Sequence, residues 1–191
     1  AAEHYFAKVD DLYANGEGRG NSTGYQCVDE LFTIKPGMLH VVTGIPSMGK
    51  SEFVDQLMFN LARQYDWKSV ICSFENPPAL HQTKLLEKVI SRPFHRGATP
   101  RMSEEEMEVG LAWINENFVF MEQSDGTSAT VDAILDRATS AVRRIGARIL
   151  VIDPYNYIDM PIGGRMSETN LISDMLTKVR NWAAAHDCAV F

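Results

Sequence analysis

Gly44-Ile45-Pro46-Ser47-Met48-Gly49-Lys50-Ser51 is the stretch on which the fold turns. It satisfies G-x-x-x-x-G-K-[ST] at each fixed position, the pattern of a loop whose backbone N–H groups cradle phosphates. Chance supplies that pattern in about one chain in a hundred of this length, so the flanking residues must decide. Before it, Met38-Leu39-His40-Val41-Val42-Thr43 reads as a strand; after it, Phe53, Val54, Leu57, Met58, Leu61 and Ala62 recur at helical spacing. A strand, a glycine-containing turn and a helix start bring several N–H groups to one point, where the helix dipole also favours negative charge. A di- or triphosphate suits that point better than the alternative, a plain strand-to-helix turn with its lysine in solvent. Gly44 and Gly49 allow unusual backbone conformations and close approach, Lys50 reaches the terminal phosphates, and the Ser51 hydroxyl ligates magnesium.

Downstream, strands and helices alternate. Ser69 to Phe74 is a strand, stopped by Glu75-Asn76-Pro77-Pro78, whose prolines open a helix carrying Leu85, Leu86, Val89 and Ile90. Pro93 ends it, and a loop with Arg92, His95, Arg96 and Arg101 follows. Ser103 and Glu106 form a capping box for a helix to about Asn117, and Phe118 to Met121 is the next strand. Asp125-Gly126 turns the chain into a helix with Val131, Ile134, Leu135, Ala138, Val142 and Ile145, closed by Gly146. Ile149-Leu150-Val151-Ile152-Asp153 has four apolar residues without alternation, the mark of a strand covered on both faces. A helix with Leu171, Ile172, Met175, Leu176, Val179 and Trp182 precedes a last strand from Cys188. This order predicts an α/β fold, a mostly parallel sheet with helices on both faces, over residues 22–191.

Upstream, Phe6, Val9, Leu12 and Tyr13 lie on one stripe of a helix ending near Asn15-Gly16, and Gly16 to Gly20 connect it to the main body. Residues 1–21 therefore read as a linker helix and connector, which packs either on its own domain or on another subunit. Without an initiator methionine, and ending inside a strand-like run, the chain is expected to be a piece of a longer one.

With 191 residues, 45% of them apolar and 23% charged, the chain is globular and long enough for one substantial core. A net charge of -7 argues against a nucleic-acid clamp over the whole surface, but not against a motor that grips a strand with a few loops. Cys27, Cys72 and Cys188 are too scattered for a disulfide scaffold or zinc site. No apolar run approaches the ~20 residues of a membrane span and no secretory segment is present, so a soluble, cytoplasmic protein is expected.

In a parallel sheet, ligands gather at the carboxyl ends of the strands. Three polar groups fall there: the phosphate loop, Glu75 and Asp153. Asp153, after its apolar run, has the position of the acidic residue that holds magnesium in phosphate-loop hydrolases, and Glu75 is the candidate for polarising the attacking water. The competing readings are a capping aspartate and a solvated loop glutamate.

Ser22-Thr23-Gly24-Tyr25, Leu31, Pro36-Gly37, the phosphate loop, Phe74-Glu75 and Val151-Ile152-Asp153-Pro154, in that order, resemble the ATPase domain of DnaB- and Twinkle-type replicative ring helicases, the helicase half of bacteriophage primase-helicases above all. The resemblance runs from about Ser22 to the end. It implies a RecA-like phosphate-loop NTPase fold, ATP or another nucleoside triphosphate with Mg2+, and a hexameric ring moving along single-stranded DNA in a bacterial or phage-type replisome. A primase domain or primase protein is an implied partner. Position by position, it implies that Lys50 and Ser51 serve phosphate and magnesium, Glu75 catalysis, and Asp153 the metal. Asn156 falls where relatives carry a polar residue, though a structural asparagine in a turn suits it as well. Asp159 to Arg165 would be a DNA-facing loop, made mobile by Gly163 and Gly164, with Arg165 meeting a phosphate, though a solvated surface loop suits one arginine as well. By the same resemblance, the γ-phosphate sensor and the arginine that enters a neighbouring subunit lie beyond Phe191, so this chain should bind nucleotide better than it hydrolyses it.

Three other readings compete. A RecA- or RadA-type recombinase shares the fold and the strand-end carboxylates; a small-molecule kinase would use Arg92, Arg96 and Arg101 as a lid; a non-motor assembly module would bind nucleotide without using Glu75.

Overall fold

A computed structural model describes residues 3–16, 18–74, 77–122, 130–158 and 168–191. The chain divides into two units, Ala1–Lys35 and Pro36–Phe191.

The first unit holds α1 (Glu3–Asn15) and the single turn α2 (Gln26–Asp29). Gly16, at φ +70°, ends α1 by donating its N–H to Leu12 O at 2.9 Å, and Phe6, Val9, Leu12 and Tyr13 are exposed. Asp29 gathers the preceding turn: Ser22 Oγ donates to Oδ2 at 2.5 Å, while the Thr23 N–H and hydroxyl donate to Oδ1 at 2.7 and 2.6 Å. The Ser22 hydrogen bond, with those of Thr23, holds the Asp29 carboxyl below the usual carboxylate range. An antiparallel bridge between Asn21 and Ile34 closes the unit.

The second unit is a sheet between two layers of helices. Its elements are α3 (Lys50–Tyr65), β1 (Lys68–Ser73), α4 (Pro78–Ile90), α5 (Glu104–Asn117), β2 (Phe118–Phe120), α6 (Val131–Ile145), β3 (Ala147–Asp153), a 3-10 turn (Tyr155–Tyr157), α7 (Glu168–His186) and β4 (Ala189–Val190). All strand pairs are parallel, in the order β2-β1-β3-β4. Successive residues of a strand face opposite ways. Val70, Cys72 and Leu150 accordingly join α6 and α7 in one core, with Ala138, Met175, Val179 and Ala183. The other face meets α3 and α5, and α4 packs on both helices. Leu57, Met58, Leu61, Leu85, Leu86 and Ile114, at most 2% exposed, fill that layer.

Local signals act where the sequence places them. Ser103 and Glu106 complete both bonds of the capping box, at 3.1 and 2.8 Å. Gly146, at φ +70°, stops α6, while α4 ends at Ser91, itself left-handed, before Pro93 is reached. One expectation fails. The apolar run Met38–Thr43 predicts a strand, but the chain forms only a parallel bridge from Leu39 to Val190, with His40 N–H to Val190 O at 2.7 Å and Val190 N–H to Met38 O at 2.9 Å. A strand needs a ladder partner for each residue. Here β4 offers two residues, Ala189 and Val190, and Val41 and Val42 beyond the bridge are exposed.

Candidate functional site

From β1 the chain crosses outward to β2, whereas from β3 it crosses the other way to β4. The crevice of such a sheet opens where those directions part, at the carboxyl ends of β1 and β3. Ser73 and Asp153 are in register there, and Phe74 N–H donates to Asp153 O at 2.9 Å.

The phosphate-loop sequence delivers α3 to the same place. Gly49 is the N-cap, left-handed at φ +83°, a conformation that costs glycine little and a side chain more. Gly44 is not so constrained within the protein: a Cβ there would meet only Lys50 side-chain carbons at 3.7 and 3.8 Å, ordinary contact. Lys50 opens the helix and its Nζ donates to Gly44 O and Ile45 O, both at 3.2 Å, so the ammonium sits over the loop. Ser51 Oγ donates to Asp153 Oδ2 at 2.5 Å. A cavity of about 230 Å³ is lined by Lys50, Ser51 and Asp153, with Val54, Ile158 and Val179 among its apolar walls.

An ammonium, a hydroxyl and a carboxylate thus meet at a helix N-terminus, which attracts anions. The paired hydroxyl and carboxylate fit a small hard cation. Among the described residues no three His, Cys, Asp or Glu side chains could hold a metal by themselves. Magnesium fits such a sparse set, because it keeps several waters and shares substrate phosphates.

Other expected residues stand apart. Glu75, Gly163, Gly164 and Arg165 lie outside the described residues, as does the turn at Asp125-Gly126. Ile45, Pro46, Ser47 and Met48 form the exposed loop, with Ser47 at φ +62°. Asn156 is exposed in the 3-10 turn after Asp153. Arg92 pairs with Glu106 at 3.2 Å across an exposed surface.

A seam between α3 and α4 escapes the sequence reading. Asp55 and His81, 3% and 4% exposed, meet through Oδ1 and Nε2 at 2.8 Å. Outside them Glu52 takes Lys84 at 3.1 Å and Lys88 at 2.7 Å, and the Lys88 hydrogen bond holds the Glu52 carboxyl below its usual range. The signal was present: Asp55 shares its helix face with Met58 and Ala62, and His81 shares one with Leu85.

Comparison with known proteins agrees with this geometry. Over 193 aligned positions the chain is 40% identical to the Twinkle homolog protein, chloroplastic/mitochondrial, of Arabidopsis thaliana; the match takes in 98% of this chain and 27% of that protein's length. Among solved structures, an ATPase domain superposes with a TM-score of 0.74 at 20% identity, over 100% of this chain and 69% of that one. A DnaB-like replicative helicase, solved with attention to its interactions with primase, gives 0.77 at 19% identity, over 100% of this chain and 48% of its own. At such identities these two establish a shared RecA-like fold. Residues 20–191, which carry the loop, both strand ends and the seam, match the DnaB-like helicase C terminal domain, and the chain belongs to that family.

Proposed function

We propose that residues 22–191 are the motor domain of a replicative DNA helicase, with residues 1–21 its linker, hydrolysing ATP or another nucleoside triphosphate with Mg2+ to move a hexameric ring along single-stranded DNA. The observation that carries the reading is the Ser51–Asp153 hydrogen bond at 2.5 Å, in the cavity that Lys50 also lines. Lys50, released from its loop carbonyls, meets the terminal phosphates, and the loop amides from Gly44 to Ser51 hold the remaining phosphate oxygens. Ser51 and Asp153 would hold the metal, which would supply neutralisation of phosphate charge. Glu75 orients the attacking water and accepts its proton. Phosphoryl transfer asks mainly for positioning and charge stabilisation, which this set can supply.

In this reading Gly163, Gly164 and Arg165 face the DNA, and a primase domain or primase is a partner. The setting is a bacterial or phage-type replisome in the cytoplasm; the name of the Arabidopsis relative makes an organellar replisome the alternative. Among the described residues no helix is long and apolar enough to cross a membrane, and no membrane partner is proposed.

Steady-state ATP hydrolysis by the full-length protein, with and without single-stranded DNA, tests the proposal. Strong stimulation by single strands, lost in Lys50→Ala together with fluorescent-nucleotide binding, is the expected result. Unwinding of a forked substrate would then separate a helicase from a strand-pairing recombinase. Hydrolysis indifferent to DNA would remove the motor, and undiminished nucleotide affinity in Lys50→Ala would remove the site.

A further inference from the structure

We propose that Tyr157, backed by Phe74, is a platform on which one base of single-stranded DNA stacks, beside the triphosphate cavity. The inference rests on the reading of single-stranded DNA as the partner, and it names a residue that meets a base.

The 3-10 turn Tyr155–Tyr157 follows Asp153 at the carboxyl edge of the sheet, where the ligands of a parallel sheet gather. In such a turn, side chains three residues apart point the same way. Tyr155 and Ile158 accordingly both line the cavity that Lys50, Ser51 and Asp153 line. Tyr157 leaves in another direction and lies against Phe74, with ring centroids 6.1 Å apart and planes 13° from parallel. The backbone under both rings is fixed. Phe74 N–H donates to Asp153 O at 2.9 Å, and Ile158 N–H closes the turn on Tyr155 O at 3.0 Å.

Core packing does not account for the two tyrosines. Ile158, 5% exposed, anchors the turn, whereas Tyr155 and Tyr157 are 47% and 57% exposed. An aromatic ring left half in water at the ligand edge, with a second ring stacked behind it, offers its open face to a flat partner. A nucleobase fits, because every base has a π-face and stacks on an aromatic side chain whatever its sequence. Capture of phosphate fits less well. The chain carries a net charge of -7, and among the described residues lining the cavity Lys50 is the only lysine or arginine, which serves the triphosphate in this reading. Affinity at this edge therefore comes from stacking more than from ion pairs. A ring held in place beforehand also loses little freedom on binding. Base and triphosphate then meet different sides of one short turn.

Two strands and one side chain test this. The full-length protein is titrated with labelled oligothymidylate and with an abasic strand of the same length, which keeps the phosphates and lacks the bases. The parent should bind oligothymidylate more tightly. Tyr157→Leu keeps apolar bulk and removes the ring, so it should weaken oligothymidylate binding by about 5- to 150-fold while the abasic strand stays within about twofold of the parent. The loss should be the same at every salt concentration, because no phosphate contact is removed. Tyr157→Phe should stay within about threefold of the parent on both strands. Should Tyr157→Leu not fold, Tyr157→Gln, polar at an exposed position, carries the same test. Unchanged oligothymidylate affinity in Tyr157→Leu would overturn the platform, and so would an equal loss on both strands. A smaller oligomer in Tyr157→Leu, with the preference for bases kept at the parental ratio, would make the ring a contact between copies and also overturn it. A parent that binds neither strand overturns both this and the functional reading, whereas a binding parent matched by Tyr157→Leu overturns the platform alone.

Discussion

The Ser51 hydroxyl and the Asp153 carboxylate, 102 residues apart in sequence, meet at 2.5 Å, joining the first turn of α3 to the end of β3. Asp153→Asn keeps an oxygen to accept that bond and removes the charge that would face a cation. Hydrolysis in the full-length protein is expected to fall by about 100-fold or more, the size of effect seen when one preorganised electrostatic group is lost. The magnesium concentration for half-maximal rate should rise, while metal-free nucleotide binding stays near its parental value. A magnesium titration of both proteins checks this, and identical curves would take Asp153 out of the metal site.

Glu75→Gln separates binding from chemistry. A glutamine can still hold a water but cannot take its proton, so nucleotide affinity should stay within a few-fold while kcat falls by about 100- to 10,000-fold, the range for losing a general base. Single-turnover hydrolysis beside a fluorescent-nucleotide titration gives both numbers. Normal turnover would return Glu75 to an ordinary strand-end loop.

Residues that act through local chemistry were legible in the sequence. Gly49 caps α3, Ser103 and Glu106 cap α5, Gly146 stops α6, and each works through neighbours within a few positions. Asp153 was legible because a strand buried on both faces and ending in a carboxylate sets that charge at the edge of a parallel sheet where ligands bind. What depends on a distant partner was not. Met38 to Thr43 is apolar enough for a strand, yet pairing decides, and β4 supplies only a bridge at Leu39. Asp29, which holds Ser22 and Thr23, and the Asp55–His81 couple are polar residues whose worth appears only once their partners are adjacent. Helical periodicity says which face an aspartate occupies but not what meets it.

The three cysteines should differ sharply in reactivity. Burial pushes the thiols of Cys72 and Cys188 each up to about 11, whereas Cys27 is exposed. Only the thiolate attacks a disulfide reagent, so at about pH 8 an accessible thiol reacts readily and the buried two scarcely at all. Titration with an aromatic disulfide should release one equivalent quickly and the other two only with denaturant. The sign for stability follows: the neutral thiols are favoured in the folded state, so their contribution is lost as pH rises from the ordinary thiol value of 9.0 through about 11. Three fast equivalents at about pH 8 would contradict the packing around β1 and β4.

Gly110, in the middle of α5, is where α4 and α5 press together. A Cβ there would lie 2.6 Å from Leu86 Cδ2 and 3.2 Å from two side-chain carbons of Ile90. Two effects oppose each other in Gly110→Ala. Helix propensity favours alanine by about 1 kcal/mol, while overpacking a filled core costs about 1–3 kcal/mol. Leu86 is 2% exposed and has little room to give, so the clash should win by about 1 kcal/mol, lowering Tm by about 2–4 °C. Trimming the obstacle reverses the sign. In a Leu86→Ala background the added methyl meets only Ile90, at 3.2 Å, and Gly110→Ala should become stabilising through helix propensity and partial filling of the cavity. Thermal melts of the two single variants and the double variant close the cycle, and purely additive effects would show that the α4–α5 contact does not require glycine at this position.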